Sequence, residues 1–390
     1  MRVLSIGVNL VPQSGGTYRT VRSFVRALES KRHEVEVINF SKYPSCPPDP
    51  KTLTLHTTKV PVARAGQWCW HAYGEGVQGL IRRADLVFIH GVYVHPLVLC
   101  ASLANRYNIP YVLVPHGSLD PQSLVRHRWR KKMWLALYQD VLFRKSAAVL
   151  YATEVEMRRS WAAGRERRAV YLPWGTVTAC EYEKQAFREQ VRARHGIPQG
   201  RRIALFCGRM TRVKRPIETI RAFVREAAAD WVLLCVGPAC SDVPIEEISW
   251  LCKHSEGRCT YVGPVLGPEI SEFYKAADLC VLLSYSENFS HTVAESLAYG
   301  VPVVVSPGIG LSAYVRSDGG GFVARGESFE DMCGVLRLAL SRTPGELEEE
   351  GRLGKNWVRR ELSVGVFADR LEAVCRSAIN GARAQWAGAI

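Results

Sequence analysis

Residues 278–306 read DLCVLLSYSENFSHTVAESLAYGVPVVVS, and this stretch decides the fold. Residues 279–283 are an apolar run without a polar interruption, which is typical of a strand buried on both faces of a parallel sheet. A polar turn follows, and apolar residues at helical spacing then continue to Tyr299, where Gly300 is placed to end the helix. Residues 301–305 predict the next strand, so the stretch is a strand, turn, helix and strand unit.

The turn of this unit is a potential anion site, because the carboxyl end of the strand and the amino end of the helix meet there. Two carboxylates flank it, Glu287 within the turn and Glu295 eight residues later. Carboxylates beside an anion site suggest a ligand that carries hydroxyl groups as well as phosphate. A second interpretation stays open here, since Thr292 and Glu295 also fit a capping box and Glu287 fits a solvated turn residue.

The bulk composition limits the class of protein. A length of 390 residues predicts two domains, or one large domain with insertions, and 47% hydrophobic with 23% charged residues is typical of a soluble globular protein. Twelve cysteines without a C-x-x-C pair or zinc-ligand spacing, and no recognisable secretory leader, favour a reducing cytoplasm. No apolar run reaches the roughly 18 residues that span a bilayer, so we expect no transmembrane segment.

The net charge of +14 belongs to the first half of the chain. Residues 1–180 contain 25 Lys and Arg against 11 Asp and Glu, whereas residues 181–390 contain 26 of each class. Such a basic half attracts nucleic acid, an anionic membrane or a phosphorylated substrate, and composition does not choose between them.

Strands and helices alternate along the chain, which predicts an α/β fold with parallel sheets wound on both sides. A strand at 2–8 leads through a turn at Gly15 and Gly16 into a helix, although this is not the G-x-G-x-x-G motif of dinucleotide binders. The proline-rich residues 41–70 predict a variable loop, and the change in charge places a domain boundary near residue 180. Further strands are predicted at 34–40, 86–89, 111–114, 148–151, 170–172, 203–207, 231–236 and 260–262.

Two features of the first half are candidates for ligand or surface contacts. His116 and Gly117 follow the fourth predicted strand, where open α/β sheets bind ligands, although a histidine there can also be a structural hydrogen-bonding group. The densest basic run, residues 126–134, opens a predicted helix and includes Trp129 and Trp134. This pattern is typical of a membrane-surface or phosphate-contacting face, and a solvated helix face is the alternative.

The second half repeats the arrangement of strand, loop and helix. The strand at 203–207 is followed by GRMTRVKR at 208–215, and a helix is predicted to start at Pro216, a favoured first helical position. Four basic residues at a junction between a strand and a helix are a plausible phosphate clamp, or otherwise a solvated loop.

The motifs together resemble glycosyltransferase family 4, the retaining enzymes of GT-B fold, over nearly the whole chain. The most specific matches are Gly208-Arg209 with Lys214, and SENF at 286–289 with Glu295, where the two glutamates have the family's E-x7-E spacing. Weaker matches are Gly15 with Gly16, His116 with Gly117, and Val262 with Gly263.

The resemblance implies two Rossmann-like doubly wound domains that face a cleft. It implies an acceptor-side domain at 1–180, a domain at 181–365 that binds the nucleotide sugar, and a C-terminal helix at 366–390 that returns to the first domain.

The resemblance also assigns roles to single residues. Arg209 and Lys214 are implied to bind the donor diphosphate, and Glu295 the ribose hydroxyls. Glu287 is implied to contact the hydroxyls of the donor sugar, and His116 to orient that sugar. The implied catalytic set is His116, Arg209, Lys214 and Glu287, and the other implied donor-binding residues are Gly15, Gly16, Val262, Asn288, Phe289, Ser290 and Glu295.

This assignment fits the chemistry, because negative charge grows on the diphosphate leaving group and fixed cations stabilise it. No D-x-D motif occurs, so we expect neither a metal nor another cofactor, and no convincing pair of enzyme nucleophile and base is present. The sequence departs from the family pattern at Trp174, Leu283 and Ser290, where asparagine, proline and glycine are usual.

We expect a cytoplasmic, metal-independent retaining transferase that moves a hexose from a UDP- or GDP-sugar to a saccharide acceptor. The acceptor is expected to be lipid-linked, in surface-polysaccharide synthesis, with the basic first half holding the enzyme on an anionic membrane. A GT-B nucleotide-sugar epimerase and a basic nucleic-acid-binding protein are the alternatives, although no nucleic-acid-binding module is recognisable and we expect no nucleic acid partner.

Overall fold

The computed structural model describes residues 1–11, 15–41, 52–56, 74–125, 128–177, 182–265 and 267–387. The chain divides into two compact units, one formed by Met1–Gly175 with Val364–Ile390 and the other by Thr176–Ser363. None of the helices in the described ranges combines the length and the apolar character needed to span a membrane.

The first unit is built on a parallel sheet. Its strands are β1 (Arg2–Val8), β2 (Glu34–Ser41), β3 (Thr52–His56), β4 (Leu86–His90), β5 (Tyr111–Val114), β6 (Ala148–Tyr151) and β7 (Ala169–Tyr171). Within the described residues they lie in the order β3-β2-β1-β4-β5-β6-β7, with every pair parallel. The winding direction reverses between β1 and β4, and the carboxyl ends of strands at such a switch point are where open α/β sheets bind ligands.

The helices of the first unit follow its strands. They are α1 (Gly16–Ser30), α2 (Gly74–Arg83), α3 (His95–Arg106), α4 (Pro121–Val125), α5 (Arg128–Gln139) and α6 (Glu154–Arg159). Strands β4 and β5 are buried along their whole length, because helices cover an apolar sheet of this kind on both faces.

Strand β3 contradicts the prediction of a variable loop over residues 41–70. Its sequence, TLTLH, alternates polar and apolar residues with the period of a strand, but the run is short and prolines precede it. Because β3 is the edge strand beside β2, it extends the sheet away from the switch point. The rest of that predicted loop lies outside the described residues.

The second unit repeats this topology. Its strands are β8 (Arg202–Cys207), β9 (Trp231–Val236), β10 (Cys259–Gly263), β11 (Leu279–Leu282), β12 (Val303–Val305) and β13 (Gly321–Val323). In the described part of this unit they form a parallel sheet in the order β10-β9-β8-β11-β12-β13, which reverses between β8 and β11. The predicted doubly wound α/β class is therefore confirmed in both units.

The helices of the second unit connect these strands. They are α7 (Lys184–His195), α8 (Pro216–Glu226), α9 (Ile245–Lys253), α10 (Ile270–Ala276), α11 (His291–Ala298), α12 (Ser312–Asp318), α13 (Phe329–Leu340) and α14 (Pro344–Glu361). Helix α8 begins at Pro216 as predicted. Capping boxes start α13, where Ser328 and Asp331 exchange hydrogen bonds, and α14, where Thr343 and Glu346 do so.

The C-terminal helix α15 (Val364–Ala387) belongs to the first unit. The ring of Phe367 packs 5.4 Å from that of Phe24 in α1, and Lys31 at the end of α1 forms an ion pair with Asp369. A Cβ at Gly175 would lie 2.7 Å from the Phe367 ring, so the close approach of the chain to α15 needs glycine there.

Candidate functional site

The switch point of the second unit brings the two most specific sequence motifs together. Strand β8 ends at Cys207 and continues into residues 208–215, the basic loop, and its neighbour β11 continues into the turn that carries Glu287. The two loops are joined directly, because the backbone N–H of Tyr285 donates to the carbonyl of Val213 at 2.8 Å. Both loops therefore lie at the sheet edge where the topology places a ligand.

Gly208 is needed where the basic loop leaves the sheet. Its φ of +150° is rarely adopted by residues with a side chain, and a Cβ there would lie 3.0 Å from Cε of Lys214. Across the loop, a Cβ at Gly237 would lie 1.9 Å from the carbonyl oxygen of Gly208. The two glycines let the backbones of neighbouring loops approach each other and leave room for the lysine side chain.

The four cations of the basic loop do not act as one clamp. Arg215 is buried, donates from Nη1 to the carbonyl of Glu327 at 2.8 Å and lies 4.2 Å above the Tyr285 ring, so its guanidinium has a structural role. Arg209 and Arg212 are exposed. Within the described residues the guanidinium of Arg209 forms neither a hydrogen bond nor an ion pair, which leaves its five donors available to a ligand.

Lys214 and Glu287 form an ion pair across the two loops. Their side chains are only 14% and 20% exposed, so each charge needs a partner in this position. The sequence assigned them to different parts of a ligand, and the structure places them in direct contact. A phosphate that approached the ammonium group would share Lys214 with the carboxylate, because an ammonium has three donors.

The turn before α11 contains buried polar atoms that no described residue pairs with. Ser290 precedes the helix with φ +64°, a left-handed conformation in which a residue other than glycine is strained. Its hydroxyl and that of Ser284 are buried, as is Oδ1 of Asn288, and in the described part of the chain none of the three atoms has a hydrogen-bond partner. Unpaired buried polar groups cost free energy, and a bound ligand is one way to satisfy them.

The capping-box interpretation of Thr292 and Glu295 is wrong. Helix α11 starts after Ser290 and has no side-chain cap. Thr292 lies inside the helix, and its hydroxyl donates to the carbonyl of Cys207 at 3.1 Å, which ties α11 to the end of β8.

Glu295 lies one turn into α11 and is held by a tyrosine. The hydroxyl of Tyr274 in α10 donates to Oε2 of Glu295 at 3.0 Å. The Tyr274 ring is buried and stacks on Tyr299, with ring centroids 5.6 Å apart and nearly parallel planes. This support fixes one carboxylate oxygen, and the group is half-buried on the helix that begins at the switch point.

Val262 lies in β10, beside a register shift between Tyr261 and Gly263. Gly263 then turns the chain with φ +89°, and its carbonyl accepts a hydrogen bond from the N–H of Gly237 at 2.8 Å. Val262 is therefore two strands away from β8 in the sheet, next to the loop that follows β9.

In the first unit, Gly15 and Gly16 form the start of α1 after β1. Gly15 has φ +71° and ψ −120° and no side chain to cap the helix, so the first amide groups of α1 have no side-chain partner at the cap. Residues 12–14 of the predicted turn lie outside the described residues.

His116 lies beyond the end of β5 and contacts a second histidine. Its Nε2 is 3.0 Å from Nδ1 of His90, the last residue of β4, and the two rings are stacked with centroids 5.2 Å apart. Burial lowers the pKa of His116 to about 4, and burial followed by the charge of His116 lowers the pKa of His90 well below its usual range. Both rings are therefore neutral near pH 7.

The lowered pKa values of these histidines should make the free energy of unfolding depend on pH. Because the pKa of His116 is lower in the folded protein, the unfolded chain takes up the proton at a higher pH than the folded protein does. The stability that the neutral histidine contributes is therefore full above pH 6.5 and is lost as the pH falls towards 4. We expect the free energy of unfolding of His116→Asn to depend less steeply on pH in this window, by up to about 1.4 kcal/mol per pH unit. Urea unfolding at pH 5, 6 and 7 measures this dependence. If the free energy of unfolding changed with pH equally in the variant and the wild type, the prediction would be contradicted.

The loop after His116 is fixed by a buried carboxylate. Glu156 in α6 accepts from the N–H of Gly117 at 2.7 Å through Oε1, and from the N–H of Ala152 at 2.8 Å through Oε2. Gly117 follows His116, and both have positive φ, 73° and 53°. The carboxylate thus holds the backbone that sets the orientation of the His116 ring.

Three residues of these sites were missed by the sequence interpretation. His90 has a readable signal, a polar residue at the carboxyl end of a strand beside the switch point. Tyr274 and Glu156 have none, because each acts through a contact between elements far apart in the sequence.

Comparisons with known proteins agree with this architecture. A family model described as "Glycosyl transferases group 1" matches residues 187–357, and one described as "Glycosyl transferase 4-like domain" matches residues 15–175. Together the two models match most of the chain, one in each unit.

Curated relatives and solved structures add detail. The D-inositol 3-phosphate glycosyltransferase 1 of Catenulispora acidiphila is 32% identical over 206 residues, 50% of this chain and 49% of that protein. The match thus spans about half the length of that relative. The sucrose-phosphate synthase of Thermosynechococcus elongatus has a TM-score of 0.76 at 19% identity and covers 98% of this chain and 100% of its own. Anabaena HepE in complex with UDP-glucose has a TM-score of 0.76 at 14% identity, covering 97% of this chain and 100% of its own.

The two family models support the resemblance drawn from the motifs, and the solved structures share the fold. The chain therefore belongs to glycosyltransferase family 4 and has the GT-B fold.

Proposed function

We propose that this protein is a metal-independent retaining glycosyltransferase that moves a hexose from a UDP- or GDP-sugar to a saccharide acceptor. The observation that carries the proposal is the switch point of the second unit. It combines the exposed guanidinium of Arg209, which has no partner among the described residues, with the cation of Lys214 and the carboxylate of Glu287 at the ends of adjacent strands, and with the carboxylate of Glu295 in α11.

The charges suit a ligand with a diphosphate between two sets of hydroxyls. In the proposal Arg209 binds the diphosphate with its planar fork, and Lys214 contributes a point charge. Glu295 accepts hydrogen bonds from the ribose, and Glu287 accepts them from the donor sugar. The buried atoms of Asn288 and Ser290 that lack a partner within the described residues are further contacts for this ligand, with Phe289 and Val262 lining it.

The proposed reaction needs charge stabilisation more than acid or base catalysis. When the bond from the anomeric carbon to the diphosphate breaks, its electron pair leaves with the phosphate oxygen, and the cations of Arg209 and Lys214 stabilise that charge. The acceptor hydroxyl attacks from the face that the diphosphate leaves, and its proton passes to the leaving phosphate oxygen. His116 orients the donor sugar, and the amides at Gly15 and Gly16 approach the diphosphate and the acceptor.

A thermal-shift screen against UDP, GDP and their sugars tests the proposal. A nucleotide that binds only the folded protein stabilises it, by about 2.7 kcal/mol at a concentration 100 times its Kd. We expect one of the two diphosphates to raise the Tm in the presence of EDTA. The proposal fails if neither nucleotide changes the Tm at millimolar concentration, or if the purified protein converts the donor alone as an epimerase would.

We propose that the acceptor is lipid-linked and that helix α5 holds the protein on an anionic membrane. Trp129, Met133 and Leu137 are 73%, 55% and 68% exposed and follow one another at intervals of four residues along the helix. Arg128, Arg130 and Lys132 are exposed beside them, and the helix contains no acidic residue. An apolar stripe flanked by cations fits the interface of an anionic bilayer.

The structure separates the two tryptophans of the basic run. Trp134 is part of the fold, because its Nε1 donates to the carbonyl of Val92 at 3.2 Å and its ring lies 4.6 Å from that of Tyr138. Most of the surface of Trp129 is exposed to water, although transfer of its apolar ring out of water is favourable. Trp129 is therefore the residue whose removal should affect membrane binding without affecting the fold.

We expect Trp129→Ser to weaken binding to vesicles of phosphatidylcholine and phosphatidylglycerol by roughly tenfold, the effect of losing one buried large apolar side chain. Flotation at low salt measures it, and vesicles of phosphatidylcholine alone should bind little wild-type protein. Trp250→Ser is the matched control, since Trp250 is 58% exposed on a helix that carries Glu246 and Glu247. Equal binding by the Trp129 variant and the wild type would contradict the proposal.

A further inference from the structure

The contact between His90 and His116 has a consequence for the chemistry that His116 can perform. Each neutral imidazole carries one ring hydrogen, on either Nδ1 or Nε2. Only one hydrogen can lie between Nδ1 of His90 and Nε2 of His116, which are 3.0 Å apart. The position of that hydrogen therefore determines the tautomers of both rings.

The surroundings of His90 distinguish the two possibilities. His90 is 2% exposed, with the ring of Phe24 at 5.3 Å and that of Phe88 at 6.3 Å. Its Nε2 is buried and has no hydrogen-bond partner in the described part of the chain. If His116 donated from Nε2, Nδ1 of His90 would be the acceptor, and the ring hydrogen of His90 would be on Nε2. That N–H would be buried among aromatic rings without a hydrogen-bond acceptor among the described residues. If His90 donates from Nδ1, its Nε2 is a bare acceptor, and under-satisfied buried acceptors are more common than orphaned N–H groups.

We propose that His90 is a positioning residue that donates from Nδ1 to Nε2 of His116 and so fixes His116 with its hydrogen on Nδ1. In this state His116 offers a ligand a hydrogen-bond donor and cannot accept a proton from it at Nδ1. His116 thus acts as a neutral donor to an oxygen of the ligand and not as a general base.

The neutral state of the pair supports this tautomer assignment. Burial lowers the pKa of both histidines, so neither ring carries a second hydrogen near pH 7 that would make both nitrogens donors. The geometry around the loop also restricts the His116 ring, because Glu156 holds the N–H of the following Gly117 at 2.7 Å. The inference rests on the proposed function only for the identity of the oxygen, a hydroxyl of the donor sugar.

The tautomer is measured directly in protein labelled with 15N-histidine, by long-range 1H–15N correlation spectra at pH 7 without any ligand. We expect both His90 and His116 to be protonated at Nδ1, the form that free histidine populates less. A spectrum in which His116 is protonated at Nε2 would overturn the inference.

Two variants separate positioning from packing. His90→Phe keeps an aromatic ring in the aromatic surroundings and removes the donor, so we expect His116 to lose its Nδ1–H preference and kcat to fall about tenfold. Binding of the nucleoside diphosphate should change less than twofold, since the two cations proposed to bind the diphosphate, Arg209 and Lys214, belong to the second unit. His90→Asn keeps an N–H near the position of Nδ1 and should restore the tautomer and most of kcat.

The outcomes also distinguish this inference from the proposed function. An unchanged His116 tautomer in His90→Phe would contradict the positioning role, even if activity fell. If the protein bound no nucleotide sugar, the proposed function would fail, and the ligand-free spectrum would still decide the tautomer. If His90→Phe failed to fold, the spectra of the wild type and His90→Asn would decide it.

Discussion

Arg209→Ala should lower kcat/KM for sugar transfer by about 10²- to 10³-fold, the effect of removing one preorganised donor to a developing negative charge. Arg209 is exposed at the end of β8, and in the described residues its guanidinium has no protein partner. Its removal therefore breaks no hydrogen bond or ion pair within the described part of the chain, and the loss should fall on the transition state. Steady-state kinetics with the preferred donor measure the effect, and circular dichroism checks the fold.

Arg212→Ala is the matched control for this prediction. It removes the same charge from the same exposed loop, three residues further along. We expect a loss of less than about fivefold, the size of a general change in surface potential. Near-normal activity in Arg209→Ala, or an equal loss in both variants, would contradict the role given to Arg209.

Glu295→Ala should have the second large effect, and on binding more than on the chemical step. A carboxylate that accepts hydrogen bonds from two ribose hydroxyls contributes about 1.5–3 kcal/mol for each bond. We expect KM for the nucleotide sugar to rise at least about 100-fold, with a smaller change in kcat. The variant should fold, because Glu295 is half-buried and does not cap α11.

Tyr274→Phe provides a graded version of the same test. It removes only the hydroxyl that donates to Oε2 of Glu295 and leaves the ring that stacks on Tyr299. A carboxylate without this support is less well oriented, so we expect a rise in KM of about fivefold to tenfold. A normal KM in Glu295→Ala would exclude the ribose contact, and a larger effect of Tyr274→Phe than of Glu295→Ala would show that the tyrosine acts by another route.

The sequence predicted the strands well because their apolar runs are uninterrupted. Short apolar runs such as those of β4, β9 and β11 are best interpreted as strands covered on both faces. Most of the predicted strand bounds differ from the observed ones by no more than two residues. Strand β3 was missed because a short alternating run beside prolines is a weak signal, and an edge strand needs a neighbour before it is stable.

The local environment of the site was less predictable than its location. The motifs placed Glu287 and Lys214 at one sheet edge, but their ion pair depends on side-chain directions that spacing does not specify. The burial of Arg215 against Tyr285 and Glu327, and the contact of His90 with His116, likewise join residues that are distant in sequence. Sequence patterns also suggested a capping box at Thr292, which is excluded because α11 begins at His291 and Thr292 lies inside it.

The proposed function depends on recognition of a diphosphate by Arg209 and Lys214 at the switch point of the second unit. Isothermal titration with UDP and UMP, or with GDP and GMP if the guanine nucleotide is preferred, tests it in the wild type and in Arg209→Ala. We predict that the wild type binds the diphosphate at least about tenfold more tightly than the monophosphate, since one charge-assisted contact contributes about 1.5–3 kcal/mol. That difference should shrink to about twofold in the variant. Equal affinities in the wild type, or the same difference in both proteins, would contradict the claim.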